Sequence, residues 1–491
     1  MCHFPDMEVS KPESEHVDVL IVGAGISGVD AAFRFKQRCP GKSFAIVEAR
    51  ERIGGTWDLF RYPGVRSDSD MFTLGFPFQP WRSDLAIVGG DAIRDYVEQT
   101  AREHGIFERI RFGHRVERAS WSSAERRWIV ETDRGRFTCA FLYLASGYYD
   151  YAQGHRPEWP GEADYRGRIV HPQFWPDDMD FLGKRVAVIG SGATAVTLVP
   201  ALADKAAHVT MVQRSPSYIV ARPAREKVAG WLQRSLPPWI AHQATRWFNI
   251  LLTIFMYGRA RRKPERVSNW IREQIRQQLP AGYPVERDFT PSYKPWDQRL
   301  CLVPDGDLFA AMRGGKVSIA TGSIERFTAT GLRLTGGEEI PAEIIVTATG
   351  LNVRLLGGIA LDVDGKRVDP AEQLLYKGMM LSGVPNLFVA LGYTNASWTL
   401  RSDLTARTVC RLLNHMRRSA YAVAVPRPDG SGIERRPVLE LSSGYLQRAL
   451  AQLPSQGHRQ PWRVRQNYVA DLAAMRFGRI DEELEFSAAG R

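Results

Sequence analysis

Two glycine-rich turns of the same form constrain the fold of this chain more than any other feature. Gly23-x-Gly25-x-x-Gly28 follows an apolar run at residues 17–22, and Gly190-x-Gly192-x-x-Ala195 follows another at residues 185–189. Helical patterns come next, from 27 to about 39 and from 193 to about 206, before further apolar runs at 43–47 and 208–212. Apolar runs on both sides of such a helix are typical of parallel strands in a βαβ unit. The chain is therefore predicted to be an α/β protein with two Rossmann-like dinucleotide-binding domains.

The first turn has the residues that a dinucleotide site needs. Gly23 permits the tight turn, Gly25 lets the backbone approach a pyrophosphate, and Gly28 allows close packing of helix and strand. The amino end of the helix adds N–H donors for the phosphates. Glu48 ends the second strand, where a carboxylate accepts hydrogen bonds from ribose hydroxyls and repels a 2′-phosphate.

The second turn differs at the position that selects the cofactor. Gln213 stands where Glu48 stands in the first unit, and Arg214 and Ser215 follow it. The added guanidinium and hydroxyl suit the 2′-phosphate of NADPH, because arginine offers a planar fork of donors. The alternative is that Arg214 is a surface residue and that the site prefers NADH. The residues predicted to bind NADPH are Gly190, Ser191, Gly192, Ala193, Thr194, Ala195, Arg214 and Ser215.

Charge and cysteine content argue against several other kinds of protein. The formal net charge of +11 is spread along the chain, which is typical of a solvated surface, so no nucleic-acid partner is predicted. The five cysteines show neither a C-x-x-C pair nor metal-ligand spacing, and no metal site is predicted. This usage fits a reducing cytosol, hence a cytoplasmic location. Residues 1–16 lack the apolar core of a signal peptide and are predicted to be a flexible leader.

A helical insertion is predicted at about residues 222–293, inside the second nucleotide domain. It contains four tryptophans among arginine-rich stretches: Trp231, Trp239, Trp247 and Trp270. Its most apolar part, residues 247–257, is shorter than the ~20 residues that a membrane span needs. Two interpretations stay open. The favoured one is core helices with solvated faces, and the other is a basic amphipathic surface that lies peripherally on an anionic bilayer.

A further glycine turn, Gly54-Gly55-Thr56-Trp57, comes soon after Glu48. This arrangement resembles FAD-binding proteins with two dinucleotide domains. In that fold a strand would follow at residues 110–121, with Val116 placed where the backbone contacts adenine. A flavin and a nicotinamide in one chain could serve a disulfide reductase, but that enzyme needs a redox cysteine pair, which the sequence lacks. Dioxygen is the remaining large option for the electron acceptor.

The segment between the two nucleotide sites indicates what the cofactors serve. It reads aromatic-x-Gly-x-x-x-His-x-x-x-Trp-Pro, with Tyr165, Gly167, His171, Trp175 and Pro176. This pattern resembles the fingerprint of Baeyer–Villiger monooxygenases, a group of class B flavoproteins, although the family pattern begins with Phe. Related N- and S-oxygenating flavoproteins usually end it in Tyr or Phe and a basic residue. The resemblance implies a hinge between domains, with a conformational role for His171 and a packing role for Trp175.

Other motifs, at residues 54–71, 295–300 and 395–400, are closest to the ethionamide-activating subgroup of that family. The resemblance spans residues 17–486. It implies a first part of the FAD domain at 17–150, an NADPH domain at 151–350, and the second part of the FAD domain with a C-terminal segment at 351–491. The residues indicated on the FAD side are Gly23, Gly25, Ser27, Gly28, Glu48, Gly55, Thr56, Trp57, Asp58, Leu59, Arg66, Ser67, Asp68 and Val116.

The resemblance also implies a reaction. NADPH and O2 would convert ketones to esters or lactones through a C4a-peroxyflavin, with side activity on sulfides. Arg299 matches the family's catalytic arginine and Asp68 would hold its guanidinium, because a developing oxyanion needs a fixed cation. Many relatives have Lys before this arginine, where this chain has Gln298.

Two alternative functions stay open. One is a flavin N- or S-monooxygenase, and the other is a non-catalytic protein that binds FAD and NADPH. Linear or small aliphatic ketones and hydrophobic thioethers are the favoured substrates by resemblance, and no residue pattern indicates an oligomeric state.

Overall fold

The computed structural model describes residues 14–430, 432–438 and 442–488. Most of the predicted leader, residues 1–13, lies outside the described residues. The first strand begins at Glu15, slightly before its predicted start, because Glu15 and His16 pair with Phe137 and Thr138 of a neighbouring strand.

The described strands are β1 (Glu15–Val22), β2 (Phe44–Val47), β3 (Ile110–Arg111), β4 (Val116–Ser122), β5 (Arg127–Thr132), β6 (Gly135–Leu144), β7 (Tyr149–Gly154), β8 (Arg168–Val170), β9 (Arg185–Ile189), β10 (His208–Gln213), β11 (Ile219–Arg222), β12 (Cys301–Pro304), β13 (Val317–Thr321), β14 (Ile324–Thr328), β15 (Gly331–Leu334), β16 (Glu339–Pro341), β17 (Ile344–Thr347), β18 (Leu351–Val353), β19 (Ala360–Val363), β20 (Lys366–Arg367), β21 (Leu375–Tyr376), β22 (Met380–Leu381), β23 (Leu387–Val389), β24 (Tyr421–Pro426), β25 (Arg435–Pro437), β26 (Ser455–Gly457) and β27 (Leu484–Ala488).

The described α-helices are α1 (Ile26–Arg38), α2 (Thr56–Leu59), α3 (Met71–Leu74), α4 (Gly90–Glu103), α5 (Ala193–Ala203), α6 (Lys227–Ser235), α7 (Pro238–Arg262), α8 (Pro264–Arg276), α9 (Val285–Phe289), α10 (Asp307–Arg313), α11 (Trp398–Arg418), α12 (Gly444–Ala449) and α13 (Tyr468–Phe477).

Two sheets carry the two glycine turns. The larger has the strand order β20-β19-β4-β5-β6-β1-β2-β3, and β23 also pairs with β6. The smaller has the order β13-β10-β9-β17-β8, and all its pairs are parallel. The strands before the two turns, β1 and β9, are interior strands that are buried on both faces. Each turn therefore leaves the carboxyl edge of a sheet, where ligands bind in open α/β folds. The predicted α/β fold with two Rossmann-like units is confirmed.

The chain crosses between the two sheets in β7 and returns in β18. These two strands pair with each other in antiparallel fashion, with Leu351 opposite Gly154 and Val353 opposite Tyr149. The covalent connection between the sheets is thus a two-stranded ribbon that begins next to the end of β6.

Helices α6 to α9 lie between the paired strands β11 and β12, within the stretch predicted to be a helical insertion. Their apolar residues are only partly covered. Val267, Ile271 and Ile275 of α8 are buried, whereas large apolar side chains on α6 and α7 face outward. Within the described part of the chain, no helix combines the length and the apolar character needed to cross a bilayer.

The single strand predicted at residues 110–121 is wrong. The structure divides it into β3 and β4, because Gly113 has a φ of +67° and turns the backbone. The turn is held by hydrogen bonds from the Gly113 N–H to the Arg50 carbonyl and from the His114 N–H to the Glu48 carbonyl. Val116 begins β4 beside the first nucleotide turn.

Candidate active site

One cavity of about 890 Å³ is lined by both glycine turns. It lies where the carboxyl edges of the two sheets face each other, so a ligand in one half can meet a ligand in the other. Its size falls at the upper end of the range for ligand pockets. The predicted residues that line it are Gly23, Gly25, Ser27, Glu48, Gly55, Thr56, Trp57, Ser67, Asp68, Val116, Gly190, Ser191, Gly192, Ala193, Thr194, Arg214, Ser215 and Arg299.

The first turn is closed by backbone contacts that leave no room for side chains. Gly23 has a φ of +105°, and a Cβ there would lie 2.6 Å from the Ala145 carbonyl oxygen. A Cβ on Gly28 would lie 1.9 Å from the Gly23 carbonyl oxygen, so α1 packs directly against the turn. Gly25 and Gly55 face each other, with a hypothetical Gly25 Cβ 3.6 Å from the Gly55 Cα. The first nucleotide turn and the Gly54-Gly55 turn thus lie against each other and form a narrow cradle of backbone on the cavity wall.

Glu48, directly after β2, connects the first turn to the segment that follows β2. Its carboxylate accepts hydrogen bonds from the N–H of Ala24 at 2.7 Å and of Arg50 at 2.9 Å. Burial raises the pKa of the Glu48 carboxyl, and the two backbone donors oppose that shift. The side chain lines the cavity, where its remaining lone pairs can accept from a ribose.

The second turn repeats the backbone geometry of the first. Gly190 has a φ of +138°, and a Cβ there would lie 2.3 Å from the Ala348 carbonyl oxygen. The Ser191 hydroxyl donates to the Ser215 carbonyl at 3.0 Å and lies 2.9 Å from the Ser217 hydroxyl. Those contacts hold the loop after β10 against the turn. Gln213 is buried below this loop, and its amide donates to the Asp288 carbonyl and the Thr321 hydroxyl.

Arg214, the residue directly after β10, has a side chain without a bonding partner among the described residues. Its side chain is exposed and lines the cavity, and it forms no hydrogen bond or ion pair with any residue that the structure describes. Since Gln213 turns inward, no carboxylate occupies the position that Glu48 has in the first unit. The second unit therefore presents an unpaired guanidinium to the cavity beside its glycine turn, a group suited to binding an anion.

Arg299 and Asp68 form a bidentate ion pair on the cavity wall. The Arg299 Nε lies 2.6 Å from Asp68 Oδ2, and Nη2 lies 3.0 Å from Oδ1. Each side chain is about one-third exposed, at 33% and 31%, and both line the cavity. The Asp68 carboxylate raises the pKa of the Arg299 guanidinium above its ordinary value, so the cation is permanent. Gln298 lines the same cavity beside this pair.

Three tyrosines surround this ion pair, and the sequence analysis missed them. The hydroxyls of Tyr148 and Tyr149 lie 2.5 Å apart, and the Tyr148 ring stacks on Trp398. The Trp398 indole donates to the Ser27 hydroxyl at 2.8 Å. Burial raises the pKa values of Tyr148, Tyr149 and Tyr445, so these hydroxyls keep their protons at neutral pH. The closely spaced tyrosines after β6, Tyr148 and Tyr149, could have indicated this part of the site from the sequence.

Two further cavity residues carry chemistry that the sequence analysis did not assign. Arg448, from α12, lines the cavity and forms no hydrogen bond or ion pair with the described residues. Cys301 lines it beside Arg299, and burial raises the pKa of its thiol to about 12. A thiol with that pKa stays protonated, and the other described cysteines lie away from the cavity lining.

Five of the predicted cofactor residues do not line the cavity: Gly28, Asp58, Leu59, Arg66 and Ala195. Gly28 and Ala195 pack the helices behind the turns. The Asp58 carboxylate is occupied by Arg50 at 2.6 Å and Arg61 at 3.3 Å, and Leu59 is buried. Arg66 pairs with Asp307 of α10 at 2.5 Å. Asp58 and Arg66 thus form ion pairs behind the cavity and do not line it.

The Tyr62-Pro63-Gly64 motif joins the two units. A Cβ on Gly64, whose φ is +76°, would lie 2.7 Å from the Ala201 side chain of α5 and 3.0 Å from the Thr197 carbonyl. Tyr62 is buried in the core of the second unit. Together with the Arg66–Asp307 pair, these contacts dock the loop that carries Asp68 onto the second nucleotide unit.

The segment from Tyr165 to Pro176 holds the two-stranded ribbon in place. The His171 Nδ1 accepts from the Gln173 N–H at 3.2 Å, and Nε2 lies 3.3 Å from the Gly350 carbonyl, next to β18. Its ring covers Gly154 of β7, where a Cβ would lie 2.1 Å from the ring. Burial lowers the pKa of His171, so the neutral ring is favoured. None of the fingerprint residues lines the cavity within the described chain.

The other fingerprint residues secure the segment to the smaller sheet. The Tyr165 hydroxyl donates to the Ala342 carbonyl at 3.1 Å, and a Cβ on Gly167 would lie 2.3 Å from that hydroxyl. Trp175 packs on Phe181 against the core of the second unit.

Comparison with known proteins places this geometry in a family. A family model described as pyridine nucleotide-disulphide oxidoreductase matches residues 20–249. The FAD-containing monooxygenase EthA of Mycobacterium tuberculosis is 54% identical over 475 residues, which is 96% of this chain and 97% of that protein. EthA of Mycolicibacterium smegmatis is 49% identical over 475 residues, or 96% of each chain.

Solved structures show the same fold. An oxidized steroid monooxygenase bound to NADP matches with a TM-score of 0.74 at 21% identity, covering 96% of this chain and 100% of that one. An open crystal structure of cyclohexanone monooxygenase matches with a TM-score of 0.73 at 19% identity, covering 97% and 100%. With the extent and identity of the EthA matches, the chain belongs to the family of EthA-type FAD-containing monooxygenases.

Proposed function

We propose that the chain is an NADPH- and O2-dependent Baeyer–Villiger monooxygenase that converts ketones to esters or lactones, with side activity on sulfides. The observation that carries this proposal is the Arg299–Asp68 pair, which faces a cavity lined by both nucleotide turns. The resemblance of the Tyr165–Pro176 segment to the Baeyer–Villiger fingerprint supports the proposal. The similarity of the fold to those of a steroid monooxygenase and a cyclohexanone monooxygenase supports it as well.

The residues present fit the two cofactors. Gly25 and Gly55 line the cavity without side chains, so a pyrophosphate can approach their backbone, and Glu48 suits a ribose; FAD is therefore assigned to the first turn. Free Arg214 suits a 2′-phosphate, so NADPH is assigned to the second. When bound, the two cofactors supply hydride transfer and the activation of dioxygen.

The protein contributes position and charge. Arg299 presents a permanent cation to the cavity, where it stabilises negative charge that develops on an oxygen atom during the reaction. Asp68 holds the guanidinium plane by two hydrogen bonds, so little reorganisation is needed. The protonated hydroxyls of Tyr148 and Tyr149 and the ring of Trp398 form a wall that limits access of water.

The reaction can be tested with the purified FAD-loaded protein. With NADPH, a ketone and isotopically labelled dioxygen, we expect one ester or lactone for each NADPH consumed, with one labelled oxygen atom in the product, measured by gas chromatography and mass spectrometry. A mixture of a ketone with an amine or thioether, analysed in the same way, shows which compound is oxygenated faster. Faster oxygenation of the amine or thioether would favour the alternative N- or S-monooxygenase. NADPH consumption that no substrate stimulates would favour the non-catalytic alternative.

A second proposal concerns location, and it rests on the exposed apolar side chains of α6 and α7. We propose a cytoplasmic protein that contacts anionic bilayers peripherally through this surface. Trp231, Trp239 and Trp247 are exposed, and the last turn of α7 carries Arg259, Arg261 and Arg262. Exposed tryptophans and arginines on the same amphipathic helices are typical of helices that lie in a membrane interface.

Sedimentation with liposomes tests this location. We expect the protein to sediment with vesicles that contain anionic lipid and to remain in solution with neutral ones, and salt should weaken the binding. Trp239→Ala/Trp247→Ala should reduce sedimentation severalfold. A control, Leu182→Ala/Phe477→Ala, removes two apolar side chains that are even more exposed and lie outside α6 and α7. Equal sedimentation of both double variants would contradict the proposal.

A further inference from the structure

A second cavity of about 750 Å³ adjoins the first, and the two share Ala396 in their linings. It lies between the carboxyl-terminal half of α7, the loop that precedes α11, and the non-helical segment at residues 463–467. Its size is that of an ordinary ligand pocket. We call it the second cavity.

The rim of the second cavity is strongly basic. Five cationic side chains line it: Arg259, Arg262, Lys263, Arg463 and Arg465. All five are exposed, and none forms a hydrogen bond or ion pair with the described residues. No Asp or Glu is found among the described residues that line this cavity. Cations at the end of α7 also complement its helix dipole, but Arg463 and Arg465 come from a different, non-helical segment.

The inner wall of the second cavity is apolar. Ile250 and Leu400 are buried, each with 2% of its surface exposed, and Ile254 and the ring of Tyr468 complete this side. A cavity with an apolar interior and a rim of unpaired cations matches one kind of molecule: an apolar chain that ends in an anionic group.

Only a thin wall separates the second cavity from the cofactor cavity. Ala396 lines both cavities, Asn395 and Ser397 on either side of it line the second cavity, and Trp398 lines the first. Thr73, whose hydroxyl lies 2.6 Å from that of Ser397, lines the second cavity, and the next residue, Leu74, lines the first. Ala396, with only a methyl side chain, is thus the residue at which the two cavities meet.

We propose that the second cavity binds the anionic head of the substrate, so that the substrates of this enzyme include carbonyl compounds with a long apolar chain and a terminal carboxylate. The rim cations hold the carboxylate, Ile250 and Leu400 contact the chain, and the carbonyl at the far end lies in the cofactor cavity. The proposal rests on the proposed monooxygenase function for the carbonyl half of the molecule and on the second cavity for the carboxylate half.

Equilibrium binding tests the carboxylate half without any turnover. Calorimetric titration of the FAD-loaded enzyme with decanoate should give saturable binding that weakens as ionic strength rises. Arg262→Glu/Arg465→Glu should raise the Kd for decanoate about tenfold, because two attractive charges become repulsive. Arg266→Glu/Arg417→Glu makes the same change in net charge at exposed positions outside the cavity and should leave the Kd unchanged within about twofold.

Turnover tests the whole proposal with two ketones of equal length. For a methyl ketone that ends in a carboxylate (an oxododecanoate), kcat/KM should fall about tenfold in the Arg262→Glu/Arg465→Glu variant. For uncharged dodecanone it should stay at the wild-type value. Flavin content and melting temperature, measured on both double variants, establish that the fold is retained.

The outcomes separate the two ideas. Decanoate binding that is equal in the rim and control variants would overturn the second cavity as an anion site, as would an equal fall in kcat/KM for both ketones. If decanoate binding falls only in the rim variant but neither ketone is converted, the anion site stands and the proposed oxygenation is wrong.

Discussion

Replacing Arg299 with Ala should leave an enzyme whose flavin is still reduced by NADPH but whose ester formation falls by about a hundredfold or more. The guanidinium lies on the cavity wall and is held by Asp68 through two hydrogen bonds, so it acts on charge in the cavity and not on the phosphate cradle. Loss of flavin absorbance after anaerobic mixing with NADPH measures the first step, and gas chromatography of the product measures the second.

The controls for this prediction separate charge from shape. Arg299→Lys keeps a positive charge without the planar fork that Asp68 grips, so partial activity is expected. Arg266→Ala removes an exposed arginine from α8 and should have no effect. Near wild-type ester formation by Arg299→Ala would show that another group stabilises the developing charge, and Arg448 would be the next residue to test.

Replacing Arg214 with Ala should raise the KM for NADPH about tenfold to a hundredfold while changing the KM for NADH little. Arg214 is exposed to the cavity and unpaired among the described residues, so its charge is available to a 2′-phosphate, and a charge-assisted hydrogen bond contributes about 1.5–3 kcal/mol. Initial rates of flavin reduction at varied NADPH and NADH measure the effect. NADH lacks the 2′-phosphate and serves as the internal control.

An equal rise in KM for both nucleotides would mean that Arg214 supports the loop after β10 and does not bind the 2′-phosphate. Gln298→Lys offers an independent check on the same site, because Gln298 lines the same cavity as Arg214 and lysine there would add a positive charge. If a phosphate of NADPH lies within reach of this lysine, the added charge should lower the KM for NADPH. In the double variant with Arg214→Ala, it should reverse part of the rise in KM.

The elements around the two glycine turns could be predicted almost residue by residue. β2 and β9 and helix α1 begin and end within a residue or two of their predicted bounds. The strand predicted at 110–121 was wrong because one glycine with positive φ interrupts a pattern that looks continuous. Residues near the turns were harder to place, since Asp58 and Arg66 form ion pairs with partners that no local pattern reveals.

The sequence by itself determined the fold class and the two glycine turns. Each turn belongs to a single βαβ unit, in which spacing along the chain sets the geometry. Only the tertiary structure decided how the candidate chemistry is assembled. Arg299 and Asp68 are separated by 231 residues, and the rim of the second cavity joins α7 to a segment near the other end of the chain. Contacts of that kind depend on how the domains and helices pack, and packing between distant segments leaves no periodic signal in the sequence.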